Sequence, residues 1–289
     1  MTLPPGASGA RRVVGGDINE AYSVRLANGQ EAFVKTRADA APGEYAAEAA
    51  GLRWLAEAGA LRTPRVLDVD ERYLALEWIA TAPRSRLGRA GAQELGAGLA
   101  ATHLAGAPCF GLGAVAPASG GPQTPAPARF GSLRLPNDPT GEWPEFYAER
   151  RLRPLALLAR ERGALPAAAL AAVERVCERL AALCGPPEPP ARVHGDLWSG
   201  NVIADARGRP WLIDPCAYGG HREVDLAMLR LFGAPSELLF AAYEQRAPLA
   251  EGWRERVELY QLLPLLVHAL LFGGSYVHAA ARVARRYGG

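Results

Sequence analysis

A loop and hairpin near residue 200 constrain this chain more than any other feature of it. The loop reads His194-Gly195-Asp196-Leu197-Trp198-Ser199-Gly200-Asn201, with an asparagine five positions after an aspartate. Two short strand-like runs follow, Asn201 to Asp205 and Pro210 to Asp214, joined by the turn Ala206-Arg207-Gly208-Arg209. Folding that hairpin returns Asp214, thirteen residues beyond Asn201, to the side of the asparagine. An amide oxygen and a carboxylate then share one place, a pair of hard oxygens suited to Mg²⁺ held jointly with phosphates. The spacing is that of a kinase catalytic loop, where the aspartate accepts or orients the proton of an attacking hydroxyl and the asparagine holds a metal ion. Singly, Gly-Asp and Asp-Pro read as ordinary turn pairs. In this order they assign Asp196 as catalytic carboxylate and Asn201 and Asp214 as metal ligands.

Such a site needs a cation for the phosphates, and here composition matters. Of 32 basic residues only Lys35 is a lysine. A compact ammonium on a flexible stem fits between two phosphate oxygens where a planar guanidinium does not; chance retention of a surface lysine is the plain alternative. Lys35 falls in a strand-like run, Ala32-Phe33-Val34-Lys35, where a kinase carries its phosphate-binding lysine. Glu48, in a helix expected over Gly43 to Ala58, is its expected ion-pair partner. Glu44, one turn earlier, is the rival, with a competing role in the first helical turn. Gly15 and Gly16, ahead of the strand from Ala21, sit in a turn whose backbone N–H groups could cover phosphates, although Gly-Gly-Asp is also a plain turn. Glu77-Trp78-Ile79 closes the last strand of this part, where a kinase hinge offers backbone groups of Glu77 and Ile79 to adenine. A half-buried strand end is compatible with the same residues.

The surrounding pattern supplies two unlike parts. Ala21 to Leu26 and Glu31 to Thr36 form a hairpin about Asn28-Gly29, and Arg65 to Asp70 and Tyr73 to Trp78 are further strands. Beyond them the period becomes helical over Gln93 to Leu104, Glu142 to Arg160, Pro166 to Leu183, Glu223 to Leu231, Pro235 to Tyr243 and Gly252 to Phe272. The Gly- and Pro-rich stretch Gly106 to Thr140 shows no period, and the 201–214 hairpin is the one strand pair expected among the helices. The fold class is therefore α+β and bilobal, with a small antiparallel β-rich N-lobe over residues 1–79 and a larger, mainly helical C-lobe over 80–289. A cleft between lobes is a preferred place for small ligands.

A net charge of +2 is too small to suggest nucleic acid or an anionic membrane as the main partner, and neither is expected. Leu262 to Gly274, the most apolar stretch, is broken by Pro264 and His268 and falls short of the roughly 20 residues of a membrane span. Cys109, Cys177, Cys184 and Cys216 form no C-x-x-C pair, so they read as small apolar residues in a reduced, cytoplasmic setting.

With these residues in hand the chain resembles the fructosamine-3-kinase (ketosamine-3-kinase) family, relatives of the aminoglycoside phosphotransferases. The resemblance runs through Gly15-Gly16-Asp17-Ile18-Asn19, Glu48-Ala49-Ala50-Gly51-Leu52, Leu76-Glu77-Trp78-Ile79, Gly131-Ser132-Leu133 and Glu149-Arg150-Arg151-Leu152. It continues through His194 to Asn201, Gly220-His221-Arg222-Glu223-Val224-Asp225-Leu226-Ala227-Met228 and Leu270-Leu271-Phe272-Gly273-Gly274, and so covers nearly the whole chain. It implies a protein-kinase-like fold, ATP and Mg²⁺, and transfer of the γ-phosphate to the O3 hydroxyl of a ketosamine, small or protein-bound, in deglycation. It also implies that Asp225 braces the catalytic loop, that Trp198 lines the sugar pocket or packs, and that His221 contacts substrate. Arg222 reads equally as half of a surface pair, His194 as a structural hydrogen-bonding residue, and His268 as a core histidine. The family commonly has two aromatic residues after Asp-Pro-Ala-x, whereas Cys216-Ala217-Tyr218-Gly219-Gly220 has one, which leaves the sugar open. Two other readings remain: a kinase of an aminoglycoside, choline or homoserine, and a kinase fold kept only as a binding module. Neither monomer nor dimer is indicated.

Overall fold

The computed structural model of the protein describes residues 2–13, 20–112, 128–233 and 236–289. Among them, the first part of the chain forms one antiparallel sheet. β1 (Ser8–Arg12), β2 (Glu20–Arg25), β3 (Glu31–Thr36), β4 (Val66–Asp70) and β5 (Tyr73–Glu77) lie in the order β1-β2-β3-β5-β4, and α1 (Glu44–Glu57) crosses between β3 and β4. Alternation along the strands splits the apolar residues between two faces. Val24, Ala32, Val34, Tyr73 and Ala75 pack on one side, while Leu74 and Leu76 meet Tyr45, Ala49 and Leu52 of α1 on the other. Lys35 pairs with Leu74 in the β3–β5 register, and its side chain reaches Glu48 of α1. β1 was not expected from the sequence: every one of its residues is exposed, so it carries no apolar alternation.

Trp78 to Ala80 lead out of the sheet straight into β6 (Thr81–Ala82), which pairs with the strand that follows the catalytic loop. One 3₁₀ turn over Arg84–Leu87 then enters α2 (Gly88–Leu104), five residues earlier than the periodicity indicates, because tertiary contacts outweigh the low helix propensity of Gly88 and Gly91. The aperiodic stretch contains a hairpin, β7 (Ala128–Phe130) with β8 (Leu133–Leu135), turning at Gly131-Ser132.

The helix expected over Glu142 to Arg160 is helical throughout, over Trp143 to Glu161, but changes its winding midway. α3 (Trp143–Tyr147) passes through a π-helical turn, Ala148–Leu152, into α4 (Arg153–Glu161). Pro154 has no N–H, so the Arg150 carbonyl loses its helical donor. The Arg151 guanidinium replaces it, with Nη1 donating to Arg150 O at 2.9 Å.

α5 (Ala167–Leu183) precedes β9 (Ala191–Val193), and β10 (Val202–Asp205) and β11 (Pro210–Leu212) form the expected hairpin, with Val202 opposite Leu212. β12 (Tyr218–Gly220) returns to pair with β9, and the chain ends in α6 (Glu223–Leu231), α7 (Glu237–Arg246), α8 (Trp253–Phe272) and α9 (Ser275–Gly288). The helical part therefore holds more strand pairs than the one expected. α7 starts at a serine cap, Ser236, whose hydroxyl accepts from Leu238 N at 3.3 Å; Pro235 lies outside the described residues. α9 is also new, set off from α8 by Gly273 and Gly274, both in the left-handed half of φ. Its buried Ala280, Ala281, Val283 and Ala284 join the main C-lobe core. Inside α8, Pro264 deprives the Tyr260 carbonyl of its donor. The Tyr147 hydroxyl donates to Leu259 O at 3.2 Å and Tyr260 O at 3.4 Å, so the helix continues through the proline.

Candidate active site

β9 delivers the chain into the loop at His194, and β10 and β11 carry it away and back to Asp214. The loop is held from below by Asp225 of α6, a fully buried carboxylate whose oxygens accept the backbone N–H groups of His194 (2.7 Å) and Gly195 (2.9 Å). Burial alone would raise its pKa, but the bond to His103 and the neighbouring histidines hold it below the usual carboxylate range. His103 of α2 contacts Asp225 at 3.1 Å through Nε2 and the Tyr243 hydroxyl at 2.7 Å through Nδ1. Gly195 stands at φ 81°, and a Cβ there would meet Cys216 O at 2.1 Å, so no other residue fits the turn.

His194 is buried, and burial lowers its pKa. Nε2 donates to Ile213 O at 2.9 Å, while Nδ1 accepts the Asp196 N–H at 3.3 Å. Both ring nitrogens are thus committed to the backbone on either side of the site, and the ring ties the loop to the hairpin.

Asn201 donates from Nδ2 to Asp196 O at 2.8 Å and to Asp196 Oδ2 at 3.2 Å, which leaves its Oδ1 as an acceptor. The Asp196 carboxyl is pushed up to about 7, first by burial and then by the nearby Asp214 carboxylate, with the Asn201 bond working the other way. β11 ends at Leu212, two residues short of the expected strand end, and Asp214 lies beyond it at φ 55°, a left-handed conformation rare for a residue before proline. There its Oδ1 accepts from Lys35 Nζ.

Lys35 is buried, with Nζ 2.8 Å from Glu48 Oε1 and in contact with Asp214. Burial pulls its pKa down, but the Asp214 and Glu48 charges together hold it above the ordinary lysine value. Burial raises the pKa of Glu48, against the opposing pull of Lys35. Glu44 instead bonds Arg37 Nη2 at 2.9 Å and Ala41 N at 3.2 Å, so the two glutamates divide the work as their spacing suggests. Glu44, Glu48 and Gly51 fall at i, i+4 and i+7 and share one helix face. A Cβ on Gly51 would stand 3.2 Å from Pro215 Cγ, so α1 lies directly on the Asp214-Pro215 segment.

Lys35, Glu48, Asp196, Asn201 and Asp214 therefore converge. Glu77 ends β5, with Oε2 accepting from Arg65 Nε at 3.1 Å, and Ile79 is half-buried at the crossover. Gly15 and Gly16 lie outside the described residues. His221 is not brought to the site: it is 3 % exposed, stacked on Tyr260 at 5.3 Å with the rings 17° apart, and burial lowers its pKa to about 4. Its neighbour Arg222 is no loose surface pair, since Nε and Nη2 both reach Glu188 at 2.6 Å. Trp198 is 39 % exposed and packs edge-on against Phe232.

Three residues emerge that the sequence reading assigned no role or a different one. His103 anchors Asp225, and only its burial on a helix that packs on α7 identifies it. Arg151 is fully buried between the rings of Phe146 (4.4 Å) and Tyr218 (4.2 Å) and donates to Pro136 O and Asn137 Oδ1. Tyr218 in turn packs beside Gly195. His268, expected in the core, lines the same pocket as Gly195 and Asp196.

The donors suit Mg²⁺. One carboxylate oxygen of Asp214 and the Asn201 Oδ1 remain for a hard cation that draws its other ligands from phosphate and water. Among the described residues no cluster of three or more His, Cys, Asp or Glu side chains forms an all-protein metal cage, and no helix is long and apolar enough to cross a membrane. None of the four cysteines is paired.

The fructosamine kinase family model matches residues 4–287. A protein of Synechocystis described as a probable ketoamine kinase is 36% identical over 286 residues, covering 96% of this chain and 89% of its own. The crystal structure of a candidate fructosamine-3-kinase from Thermobifida fusca superposes with a TM-score of 0.85 at 42% identity, covering 97% of this chain and 93% of its own. A choline/ethanolamine kinase family protein of Mesorhizobium loti shares the protein-kinase-like fold at 21% identity, with a TM-score of 0.61 over 96% of this chain and 87% of its own.

Proposed function

The chain belongs to the fructosamine kinase family, and from that premise we propose that it moves the γ-phosphate of ATP to the O3 hydroxyl of ketosamines. The observation that carries the reading is the convergence of Lys35 from β3, Glu48 from α1, Asp196 and Asn201 from the loop after β9 and Asp214 from the end of the β10–β11 hairpin, with Lys35 Nζ bonded to both Glu48 and Asp214. Asp196 accepts or orients the O3 proton, the O3–phosphorus bond forms, and the bond from phosphorus to the ADP oxygen breaks. The pKa of about 7 suits a base working near neutrality, and a positioned base is worth roughly 10² to 10⁴ in rate. Lys35, oriented by Glu48, binds phosphate oxygens, and backbone groups from Glu77 to Ile79 face the adenine. Asn201 Oδ1 and Asp214 would hold Mg²⁺, which would offset the charge of the phosphates. The phosphorylated adduct then releases the amine, a role in deglycation.

The test is ADP release with Mg-ATP against ribulose-, erythrulose- and fructose-lysine, with kanamycin and choline as competitors for the assignment and Asp196→Asn as control. Turnover of ketosamines that disappears in the variant is expected. Turnover of kanamycin or choline alone overturns the acceptor; nucleotide binding without any turnover overturns the catalytic reading.

A further inference from the structure

Asp196 is the only acid lining its pocket among the described residues. The rest of the wall is apolar, with Val224, Met228, Leu263 and Val267, apart from the Tyr260 ring and His268. His268 sits on α8 four residues after Pro264, and its Nδ1–H donates to Pro264 O at 2.7 Å. That bond fixes the tautomer and leaves Nε2 as an acceptor, to which no group among the described residues donates. Burial lowers the pKa of the ring, which favours the neutral, accepting form at physiological pH. Aromatic rings surround it: Phe232 at 4.9 Å, Tyr276 at 5.0 Å and Phe272 at 5.5 Å between centroids, with Phe232 continuing to Trp198 at 6.0 Å. Phe272 is 60 % exposed, so this ring cluster beside His268 reaches the protein surface.

A ketosamine carries a secondary amine on C1, separated from O3 by the three carbons C1 to C3. Protonated, the amine is a cation with N–H donors, and Asp196 is already engaged with the hydroxyl. The remaining recognition available is a neutral nitrogen acceptor among π faces, a set that attracts an ammonium without a second carboxylate. We propose that His268 Nε2 accepts a hydrogen bond from the protonated amine of the bound ketosamine while the neighbouring rings face the cation. His268 is then a specificity-determining residue that selects amine-bearing ketoses. The inference rests on the ketosamine reading above and deepens it.

The experiment compares the unaltered protein with His268→Phe, which keeps a ring and removes the acceptor, and His268→Gln, which keeps an acceptor of similar reach. Each is assayed with a ketosamine and with its thioether analogue, in which sulfur replaces the amine nitrogen. His268→Phe is expected to raise the KM for the ketosamine about tenfold, the size of one hydrogen bond to a charged group. The KM for ATP and that for the thioether should stay within about twofold, and His268→Gln should restore most of the loss. An equal rise for both acceptors assigns a hydroxyl contact or a structural role and overturns the proposal, as does no rise at all. Failure of the unaltered protein to turn over any ketosamine overturns both this inference and the ketosamine reading, whereas normal turnover with an indifferent His268→Phe overturns this inference alone.

Discussion

Asp196 occupies a position that destabilises the folded protein, and replacing it with asparagine should relieve that. Its carboxyl is raised from the ordinary 3.8 to about 7, chiefly by burial and next by Asp214. At about 1.36 kcal/mol per tenfold in proton affinity, ionising it in place costs about 4 kcal/mol. The side chain keeps some access to solvent through the pocket, which reduces the expectation to roughly 2 kcal/mol. The sign follows from proton binding. Between pH 3.8 and about 7 the native protein holds more proton at this site than the unfolded chain does. Stability from Asp196 is therefore complete below the lower value and is lost as pH rises through the upper one. Asparagine does not titrate and can still accept the Asn201 amide. Urea unfolding of ligand-free protein, followed by tryptophan fluorescence from pH 4.5 to 8, should show a small advantage for Asp196→Asn at the acid end. The advantage should grow to on the order of 2 kcal/mol at pH 8, in a variant without turnover. A difference that stays constant with pH, or a variant less stable at pH 8, would refute the account of this carboxyl.

Two further outcomes follow from the packing. Glu48→Gln removes the charge that orients Lys35 and should lower kcat/KM for ATP by about tenfold or more, whereas Glu44→Gln, which faces Arg37, should stay within about twofold of the unaltered enzyme in the same assay. Tyr147→Phe withdraws the hydroxyl that serves the carbonyls beside Pro264 and should lower unfolding stability by about 1 to 2 kcal/mol, with the KM for ATP unchanged; an unaltered urea midpoint would mean that those carbonyls find another donor.

The candidate site is legible in the chain because most of it is local. His194 to Asp214 is one loop and one hairpin, so spacing alone brings Asn201 beside Asp196 and turns Asp214 back toward both. Lys35 and Glu48 need one strand and one helix, whose period puts Glu48 on the helix face toward the sheet. The β2–β3 hairpin and most helices follow the same logic of period and turn chemistry. The misses have a common cause in signals that are weak or non-local. β1 is exposed along its whole length and has no alternation to read, and the π-helical turn at Ala148–Leu152 depends on which side chain serves the Arg150 carbonyl once Pro154 withdraws its donor.

What the sequence by itself determined is the identity and order of the groups proposed to handle phosphate, because covalent spacing across short turns leaves them few arrangements. Only the tertiary structure decided which groups support them and what faces the acceptor. Asp225 and His103 meet across 122 positions of chain, Arg151 slides between Phe146 and Tyr218 to back the Gly195 turn, and His268 changes from an interior histidine to a pocket wall while His221 does the reverse. Along the chain His221 stands beside glycines and charged residues and His268 inside an apolar run, so local pattern points the opposite way from the structure for both. The packing of α8 against α6 decides it: His221 is covered by Tyr260 of α8, while His268, about two turns further along the same helix, lines the pocket.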